Sequence, residues 1–254
     1  MRQLNIFALE KIPLIIPGDN LAKIIFNALK KSKLVIQDGD VFVIAQKIVS
    51  KAENRYVTLS EILPSKKASV LAQKTDKDPR LVELILRESK KVVRFRKGVI
   101  VVEHKLGFIH ANAGIDRSNI ESDSLNPRVL LLPKNPDLSA KQLQKELSKF
   151  LRKKIGIIIN DSSGRAWRNG IVGIAIGCSG VSVLSDLRGQ KDLYGRTLEV
   201  TEVGIADELA SSASILMGQS NEGLPVVIIQ GLKLSKDKRG SKALLRLAKD
   251  DLFR

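Results

Sequence analysis

The spacing of apolar residues along the chain predicts several amphipathic helices. The first helix has Asp19 or Asn20 as its N-cap and carries an apolar face of Leu21, Ile24, Ile25 and Leu29. A second begins at Asp78, which precedes a proline suited to the first helical position, and extends to the lysines at 90 and 91. Ser139 caps a third helix, and a long fourth helix spans residues 202 to 217.

Apolar runs between these helices predict strands. Residues 4–12 alternate weakly, and the β-branched run 40–50 indicates a second strand. In the middle of the chain, turns separate four runs that we expect to be antiparallel neighbours: "VVRFR", "GVIVVE", "GFIHANAGI" and "VLLLP". The run "IGIIIN" at 155–160 is uninterrupted, as in a strand buried on both faces. The glycine-rich "IVGIAIGCSGV" at 171–181 predicts strands that another segment approaches closely.

The order of these elements predicts an α+β fold, rich in strands and bracketed by helices. It lacks the regular βαβ alternation of a Rossmann sheet. Neither a Walker A sequence nor a G-x-G-x-x-G after a strand occurs, which excludes the P-loop and kinase classes. We expect one intertwined domain over residues 1–232 and a basic tail over 233–254, where the leucines at 244, 245 and 247 suggest a short helix.

Charge narrows the choice of ligand. The 254 residues include 43 Lys and Arg against 27 Asp and Glu, a net charge of +16 that favours anionic partners. With only two Tyr and one Trp, the chain lacks the aromatic surface that stacks on single-stranded nucleic acid, so nucleic acid is not the expected ligand. No apolar run reaches the roughly 20 residues of a membrane span. The first residues lack a signal-peptide pattern, and one cysteine permits no internal disulfide, so we expect a cytoplasmic protein without a membrane partner.

Three polar clusters interrupt the apolar strands. "NAGIDRSN" contains Asp116, "NDSSGR" contains Asp161 and Ser162, and "MGQSNEG" contains Gln219. Their oxygen atoms are the ligands that Mg²⁺ or Mn²⁺ accepts, and the glycine-flanked amides of the third cluster suit a phosphate. Arg165 and Arg168 add guanidinium groups that pair with phosphate. The clusters therefore share the inventory of a site for a metal-bound polyphosphate.

Each cluster alone also has a structural explanation. Asp-Ser-Ser-Gly and the residues after Asp116 are typical of turns, and "GQSNEG" is typical of a glycine stop at a helix end. Lys51, at the predicted strand end, is either a phosphate ligand or a solvated lysine. Cys178 lies in an apolar run with both histidines far away in the sequence, so a buried inert thiol is expected rather than a nucleophile.

Six ordered blocks together resemble one family. "IPLIIPGDNL", "VSKAENR", "NAGIDRSN", "NDSSGRAWRNGIVGIAIG", "KDLYGRTLEV" and "MGQSNEGLPVV" are similar to segments of the coenzyme F420-0:γ-glutamyl ligases, in the same order. The resemblance covers residues 10 to 231, nearly the whole chain, and leaves the lysine-rich tail outside. It implies a homodimer of an α+β fold and a GTP-dependent ligase that adds L-glutamate to F420-0 and then a further γ-linked glutamate. The implied intermediate is an acyl phosphate, and the implied products include GDP and phosphate.

The resemblance also implies a set of site residues. Asp116 and Asp161 match ligands of one divalent ion, Mn²⁺ or Mg²⁺, and Ser162 with Gln219 matches ligands of a second. A monovalent cation is a further candidate. The catalytic set is Asp116 and Asp161, to which charge logic adds Arg165, with a deazaflavin phosphate or a loop salt bridge as its alternative roles. The positions matching nucleotide contacts are Ile12, Pro13, Leu14, Ile15, Lys51, Asn119, Met217, Gly218, Gln219, Ser220, Asn221, Glu222, Gly223 and Leu224.

Two other functions stay open at this point. An enzyme of the same fold could ligate an amino acid to a different carboxylate, since the sequence does not name the acceptor. A non-catalytic basic protein could retain the fold and bind anions. Retention of Asp116, Asp161 and the Ser162 hydroxyl argues against the second alternative.

Overall fold

A computed structural model describes residues 3–232 and 239–253, and these residues form the α+β architecture that the sequence predicts. Within those ranges the helices are α1 (Leu21–Ser32), α2 (Gln46–Ala52), α3 (Lys66–Thr75), α4 (Pro79–Arg87), α5 (Pro136–Leu151) and α6 (Ile205–Met217). The strands are β1 (Asn5–Ala8), β2 (Val41–Ala45), β3 (Tyr56–Thr58), β4 (Ser89–Arg96), β5 (Val99–His104), β6 (Ile109–Ala111), β7 (Arg128–Leu130), β8 (Gly156–Arg165), β9 (Arg168–Ser179), β10 (Ser185–Asp186), β11 (Glu202–Val203) and β12 (Val226–Gln230). No helix in the described ranges is both long and apolar enough to cross a membrane.

The central sheet has the strand order β1-β12-β2-β8-β9. Its pairs are antiparallel except β2 with β8, which run parallel. A Rossmann sheet would be mostly parallel. The prediction from the sequence that the fold is not a Rossmann fold is therefore confirmed.

Both faces of this sheet are buried, and alternate residues of each strand face opposite cores. Phe42 and Ile157 belong to a core shared with α1 and α5, whereas Val43 and Ile158 belong to a core shared with α6. Two-sided burial is the reason that the run at 155–160 carries no polar alternation. The predicted strand at 155–160, buried on both faces, is confirmed.

A smaller layer contains the three-stranded sheet β4-β5-β6, against which α3 and α4 pack. The pairs in this sheet are antiparallel, as expected. The fourth run of that group, "VLLLP", does not join it, because β7 pairs with β3 instead. β3 is only three residues long and carries no separate pattern that would have predicted it.

The predicted strand over residues 40–50 is wrong in its second half. β2 ends at Ala45, and the next seven residues form α2. Ile48 and Val49 are buried at helical rather than alternating positions. Lys51 therefore lies on a helix, one turn after Lys47, and not at the end of a strand.

Several helix boundaries also differ from the prediction. Asn20 and Asp78 are N-caps as expected, but the second helix ends at Arg87 and its two lysines lie in β4. α5 begins earlier than predicted, because Asn135 caps it ahead of a proline and Ser139 lies inside the helix. The fourth helix begins at Ile205, since residues 202 and 203 form β11.

The end of the chain forms short 3-10 turns where the sequence suggested a helix. The described part of the tail has turns at Ser241–Leu244 and Ala248–Asp250, while residues 233–238 lie outside the described residues. The tail packs on the core, since Ser241 donates to the Ile176 carbonyl at 2.9 Å and Leu244 contacts the α6 core.

Candidate functional site

Asp161 lies in the middle of β8, and this position corrects the expectation of a strand end or a turn. β8 continues to Arg165 and forms a hairpin with β9, in which Asp161 is opposite Ile174. The Asp161 Oδ1 atom accepts the backbone N–H of Ser162 at 2.8 Å. Both side chains therefore project from a paired strand, just after a register shift between Ile159 and Asn160, rather than from a loop.

Asp116 is fixed by a two-way backbone bridge to Leu130. Its N–H donates to the Leu130 carbonyl at 2.9 Å, and its own carbonyl accepts the Leu130 N–H at 3.0 Å. The carboxylate accepts from Gln46 Nε2 at 2.6 Å and pairs with Lys47 Nζ at 3.1 Å. Burial raises the pKa of Asp116, Lys47 opposes that rise, and the Asp161 carboxylate adds to it. The two aspartates, distant in sequence, thus lie close enough to interact.

His110 of β6 is the third ionisable group at this point. Its Nδ1 atom lies 3.0 Å from the Ala111 carbonyl, and its Nε2 atom lies 3.1 Å from Asp161 Oδ2. Within the described residues, both Nε2 and Oδ2 are buried and neither makes a hydrogen bond, so the geometry of their contact is not that of one. Burial lowers the pKa of His110, but Asp161 and the Ala111 carbonyl more than offset this and the net shift is upward.

The segment after α6 brings the third polar cluster to β8. Gly218 ends the helix with φ 69° and ψ −176°, a conformation reserved for glycine, and the chain then turns back. Ser162 Oγ donates to Gln219 Oε1 at 2.8 Å. Glu222 Oε2 accepts the Ser220 N–H at 2.8 Å and holds the turn. Ser162 and Gln219, predicted as partners, are in contact.

The first and third clusters are joined directly. Asn119 Nδ2 donates to the Ser220 carbonyl at 2.6 Å. Lys47 Nζ, besides pairing with Asp116, donates to the Ser118 carbonyl at 3.0 Å. The three polar clusters of the sequence therefore form one continuous surface.

Lys51 belongs to the same region although its predicted setting was wrong. Burial lowers its pKa, the nearby Lys47 ammonium lowers it further, and Asp116 raises it. Lys47 pairs directly with the Asp116 carboxylate, and Lys51 is near enough for the Asp116 charge to raise its pKa. A pair of half-buried lysines next to buried carboxylates suits a polyanion that carries its own cations.

The sequence is similar to known proteins over nearly its whole length. A sequence model of the family described as F420-0:Gamma-glutamyl ligase matches residues 10–231. The chain belongs to this family. "Coenzyme F420:L-glutamate ligase" of Methanocaldococcus jannaschii is 44% identical over 255 residues, covering 100% of this chain and 98% of the relative. The proteins of the same name from Methanothermobacter thermautotrophicus and Archaeoglobus fulgidus are 44% and 40% identical, and each alignment covers 99% of this chain and 99% or 97% of the relative.

The segment Ile12–Ile15, which was predicted to contact the nucleotide, precedes α1. Ile15 is buried and Ile12 packs beside it, in the core that also contains Ile48 and Val49 of α2. Pro13 and Leu14 are exposed, Leu14 at 90%. The segment is thus anchored in the core that α2 also lines, and it presents Pro13 and Leu14 to its surroundings.

Arg165 is the predicted residue that the structure does not bring to the carboxylates. It is exposed at the tip of the β8–β9 hairpin and donates to the Asn169 carbonyl at 3.1 Å. Four residues of extended strand separate it from Asp161, a distance of about 13 Å. Arg168 is exposed on the same hairpin.

Sequence reasoning missed Gln46, Lys47 and His110. The first two were assigned to a strand, so their shared helix with Lys51 was not visible, although the i, i+4 spacing of the lysines was a usable signal. His110 was considered only as a partner of Cys178. That thiol is buried, and burial raises its pKa well above the ordinary value, which confirms the inert assignment. No three His, Cys, Asp or Glu side chains of the described ranges are already arranged to hold a metal ion.

Proposed function

We propose that this chain is a GTP-dependent ligase that joins L-glutamate to coenzyme F420-0 and then adds a further γ-linked glutamate. Membership of the family and the names of its relatives support the ligase class and both substrates. The nucleotide and metal parts rest on one observation. Three polar clusters converge on one surface, where Ser162 contacts Gln219 and Asn119 contacts Ser220.

The proposed reaction balances in two steps. A carboxylate oxygen of F420-0 attacks the γ-phosphorus of GTP, which forms an acyl phosphate and breaks the bond to GDP. The amine of glutamate then attacks the acyl carbon, phosphate leaves, and the amine gives up a proton. Both steps depend on positioning and charge neutralisation more than on a strong acid or base.

The donor set fits divalent cations. Asp116 and Asp161 would hold one ion, and Ser162 with Gln219 a second, all through the hard oxygen atoms that Mg²⁺ and Mn²⁺ accept. Among the residues that the structure describes, the Asp161 Oδ2 atom is buried and makes no hydrogen bond, an arrangement that is costly for a carboxylate unless a cation faces it. Such ions, when bound, supply positive charge that neutralises the γ-phosphate and the departing GDP.

The chain's own residues would bind and orient the nucleotide. Lys51 and Lys47 would pair with phosphate oxygens. In the segment from Met217 to Leu224, a phosphate would take the place of the Glu222 carboxylate, which accepts the Ser220 N–H at 2.8 Å. Asn119 lies next to that segment, where its Nδ2 donates to the Ser220 carbonyl. The exposed side chains of Pro13 and Leu14 suit the face of a base. Arg165, distant from the carboxylates, fits the anionic phosphodiester of F420-0 better than the γ-phosphate. A monovalent cation remains part of the proposal without an assigned site.

We further propose that the active form is a homodimer. The β8–β9 hairpin and the segment between β10 and β11 carry large apolar side chains that are at least half exposed: Trp167, Ile171, Leu193, Tyr194 and Val200. Exposed apolar surface of this extent is typical of a contact between chains. Light scattering after size exclusion tests the proposal, and a monomer across micromolar concentrations would contradict it.

Product analysis tests the ligase function. The chain is incubated with F420-0, GTP, Mn²⁺ and L-glutamate, and mass spectrometry is expected to show products heavier by one and then two glutamate residues. GDP should appear in equal amount to the bonds formed. No glutamylated product, while a known ligase works alongside, would contradict the acceptor assignment. Glutamylation of another carboxylate compound would instead support a ligase of the same fold with a different acceptor. If neither Mg²⁺ nor Mn²⁺ changed the affinity of the chain for GTP, the proposed metal sites would be wrong.

A further inference from the structure

We propose that His110 Nε2 is a ligand of the divalent ion at Asp161, beside the carboxylate oxygen Oδ2. The inference deepens the proposed function and rests on its metal site. It assigns to the site a nitrogen donor that the oxygen set of Asp116, Asp161, Ser162 and Gln219 does not include. An imidazole ligand makes the site one for Mn²⁺ or a related transition metal rather than for Mg²⁺.

The contact with Ala111 determines which nitrogen of His110 carries the proton. A carbonyl oxygen only accepts hydrogen bonds, so the 3.0 Å contact to Ala111 requires the proton of a neutral ring on Nδ1. The lone pair is then on Nε2. Histidine ligands of metals show this pattern, in which one ring nitrogen donates to a carbonyl and the other faces the ion.

His110 Nε2 and Asp161 Oδ2 face each other, and neither makes a hydrogen bond within the described residues. The two atoms are 3.1 Å apart, and both are buried. A nitrogen lone pair and a carboxylate oxygen at that distance repel each other unless a proton or a metal ion lies between them, and because the contact lacks hydrogen-bond geometry, the metal ion fits it better. His110 is only 7% exposed, so water does not relieve the repulsion.

The distance between His110 Nε2 and Asp161 Oδ2 also suits two ligands of one ion. Two donors at about 2.1 Å from one ion in octahedral geometry are about 3.0 Å apart. The observed separation of 3.1 Å is therefore that of neighbouring ligands.

Pulsed electron paramagnetic resonance of Mn²⁺ tests the assignment, because it detects a directly bound imidazole nitrogen. The full chain, without a histidine tag, receives one equivalent of MnCl₂ and no nucleotide. His104 and His110 are the chain's two histidines, so the matched variants are His104→Gln and His110→Gln. We expect the nitrogen modulation in the unmodified chain and in His104→Gln, and its loss in His110→Gln. Titration should show Mn²⁺ affinity lowered tenfold or more in His110→Gln, with a smaller change for Mg²⁺.

The outcomes separate this inference from the proposed function. Bound Mn²⁺ without nitrogen modulation in the unmodified chain overturns the role of His110, as a protonated His110 paired with Asp161 would, and leaves the oxygen site standing. No Mn²⁺ binding at all overturns both. If His110→Gln does not fold, His104→Gln grown with ¹⁵N-histidine keeps the test decisive, because His110 is then the only histidine. Replacement of the ¹⁴N signal by ¹⁵N supports ligation, and an unchanged spectrum overturns it.

Discussion

Replacing Asp161 by asparagine separates the site hypothesis from a structural role of this residue. The substitution keeps the shape of the side chain and removes one negative charge. The amide oxygen can still accept the Ser162 N–H, which Asp161 Oδ1 now accepts at 2.8 Å. The new NH₂ group would face His110 Nε2, 3.1 Å from the present Oδ2.

The expected effect on stability is small. Asp161 raises the pKa of Asp116, so loss of its charge removes a repulsion within the folded protein. The same change removes the attraction by which Asp161 raises the pKa of His110, so the two effects oppose each other. For a chain of this size, a net change of about 1 kcal/mol or less shifts the melting temperature by no more than roughly 2–4 °C in metal-free buffer.

The expected effect on turnover is large. A carboxylate that holds a catalytic ion supplies charge that an amide lacks, and a loss of about 4 kcal/mol of transition-state stabilisation lowers kcat about a thousandfold. Melting is measured by circular dichroism without metal. Turnover is measured as GDP release and as glutamylated product at saturating GTP and Mn²⁺.

Asp137→Asn is the matched control. Asp137 is a carboxylate at the other end of the sheet, where Oδ1 accepts the N–H groups of Cys178 and Ser241 at 2.8 and 2.9 Å. Its variant should lose about 1–2 kcal/mol of stability and keep its turnover at permissive temperature, because charge-assisted hydrogen bonds weaken. A melting temperature lowered by 8 °C or more in Asp161→Asn, with turnover retained, would refute the site hypothesis and favour a structural carboxylate.

Three further predictions address other parts of the molecule. Gly173→Ala should lower the melting temperature by roughly 5–10 °C, because a Cβ atom there would lie 2.5 Å from the Ala210 carbonyl oxygen of α6; an unchanged melting curve would show that α6 can shift freely. Burial lowers the pKa of His104 from 6.5 to about 4, so the folded state resists protonation of this ring. The free energy of unfolding should therefore fall by up to about 3 kcal/mol as the pH drops from 6.5 to about 4. Denaturant titrations at several pH values should show a shallower loss in His104→Phe, and equal slopes would contradict this. Lys51→Met should raise KM for GTP roughly tenfold with little change in melting temperature, because a charge-assisted phosphate contact is lost; an unchanged KM would remove Lys51 from the nucleotide site.

The sequence predicted the buried elements well and the short or polar ones poorly. The run at 155–160 was recognised because burial on both faces leaves only apolar residues, and local capping chemistry revealed Asn20 and Asp78. The switch from β2 to α2 was missed, since β-branched Ile48 and Val49 favour a strand locally. Their burial depends on packing against distant segments, which no local pattern records.

The site shows the same division. Residue chemistry identified oxygen-rich clusters, but only the fold shows that Asn119 touches the Ser220 carbonyl and that Ser162 touches Gln219. Arg165 was chosen by charge alone, and extended strand carries it away from the carboxylates. His110 was overlooked because a histidine inside an apolar run gives no local signal of its partner, which lies on a different sheet.

The two aspartates differ in how their charge is already balanced, and this difference bears on the order of events at the site. Asp116 receives Gln46 and Lys47, so its carboxylate is compensated by the chain itself. Asp161 Oδ2 has no hydrogen bond within the described residues and faces an imidazole nitrogen. In the proposed metal site, a cation would therefore gain more from Asp161 first, since it would relieve an unsatisfied pair there, whereas at Asp116 it would have to displace a lysine. Lys47, if displaced, would remain one helical turn from Lys51, where its ammonium group would be available to the phosphates of the proposed nucleotide.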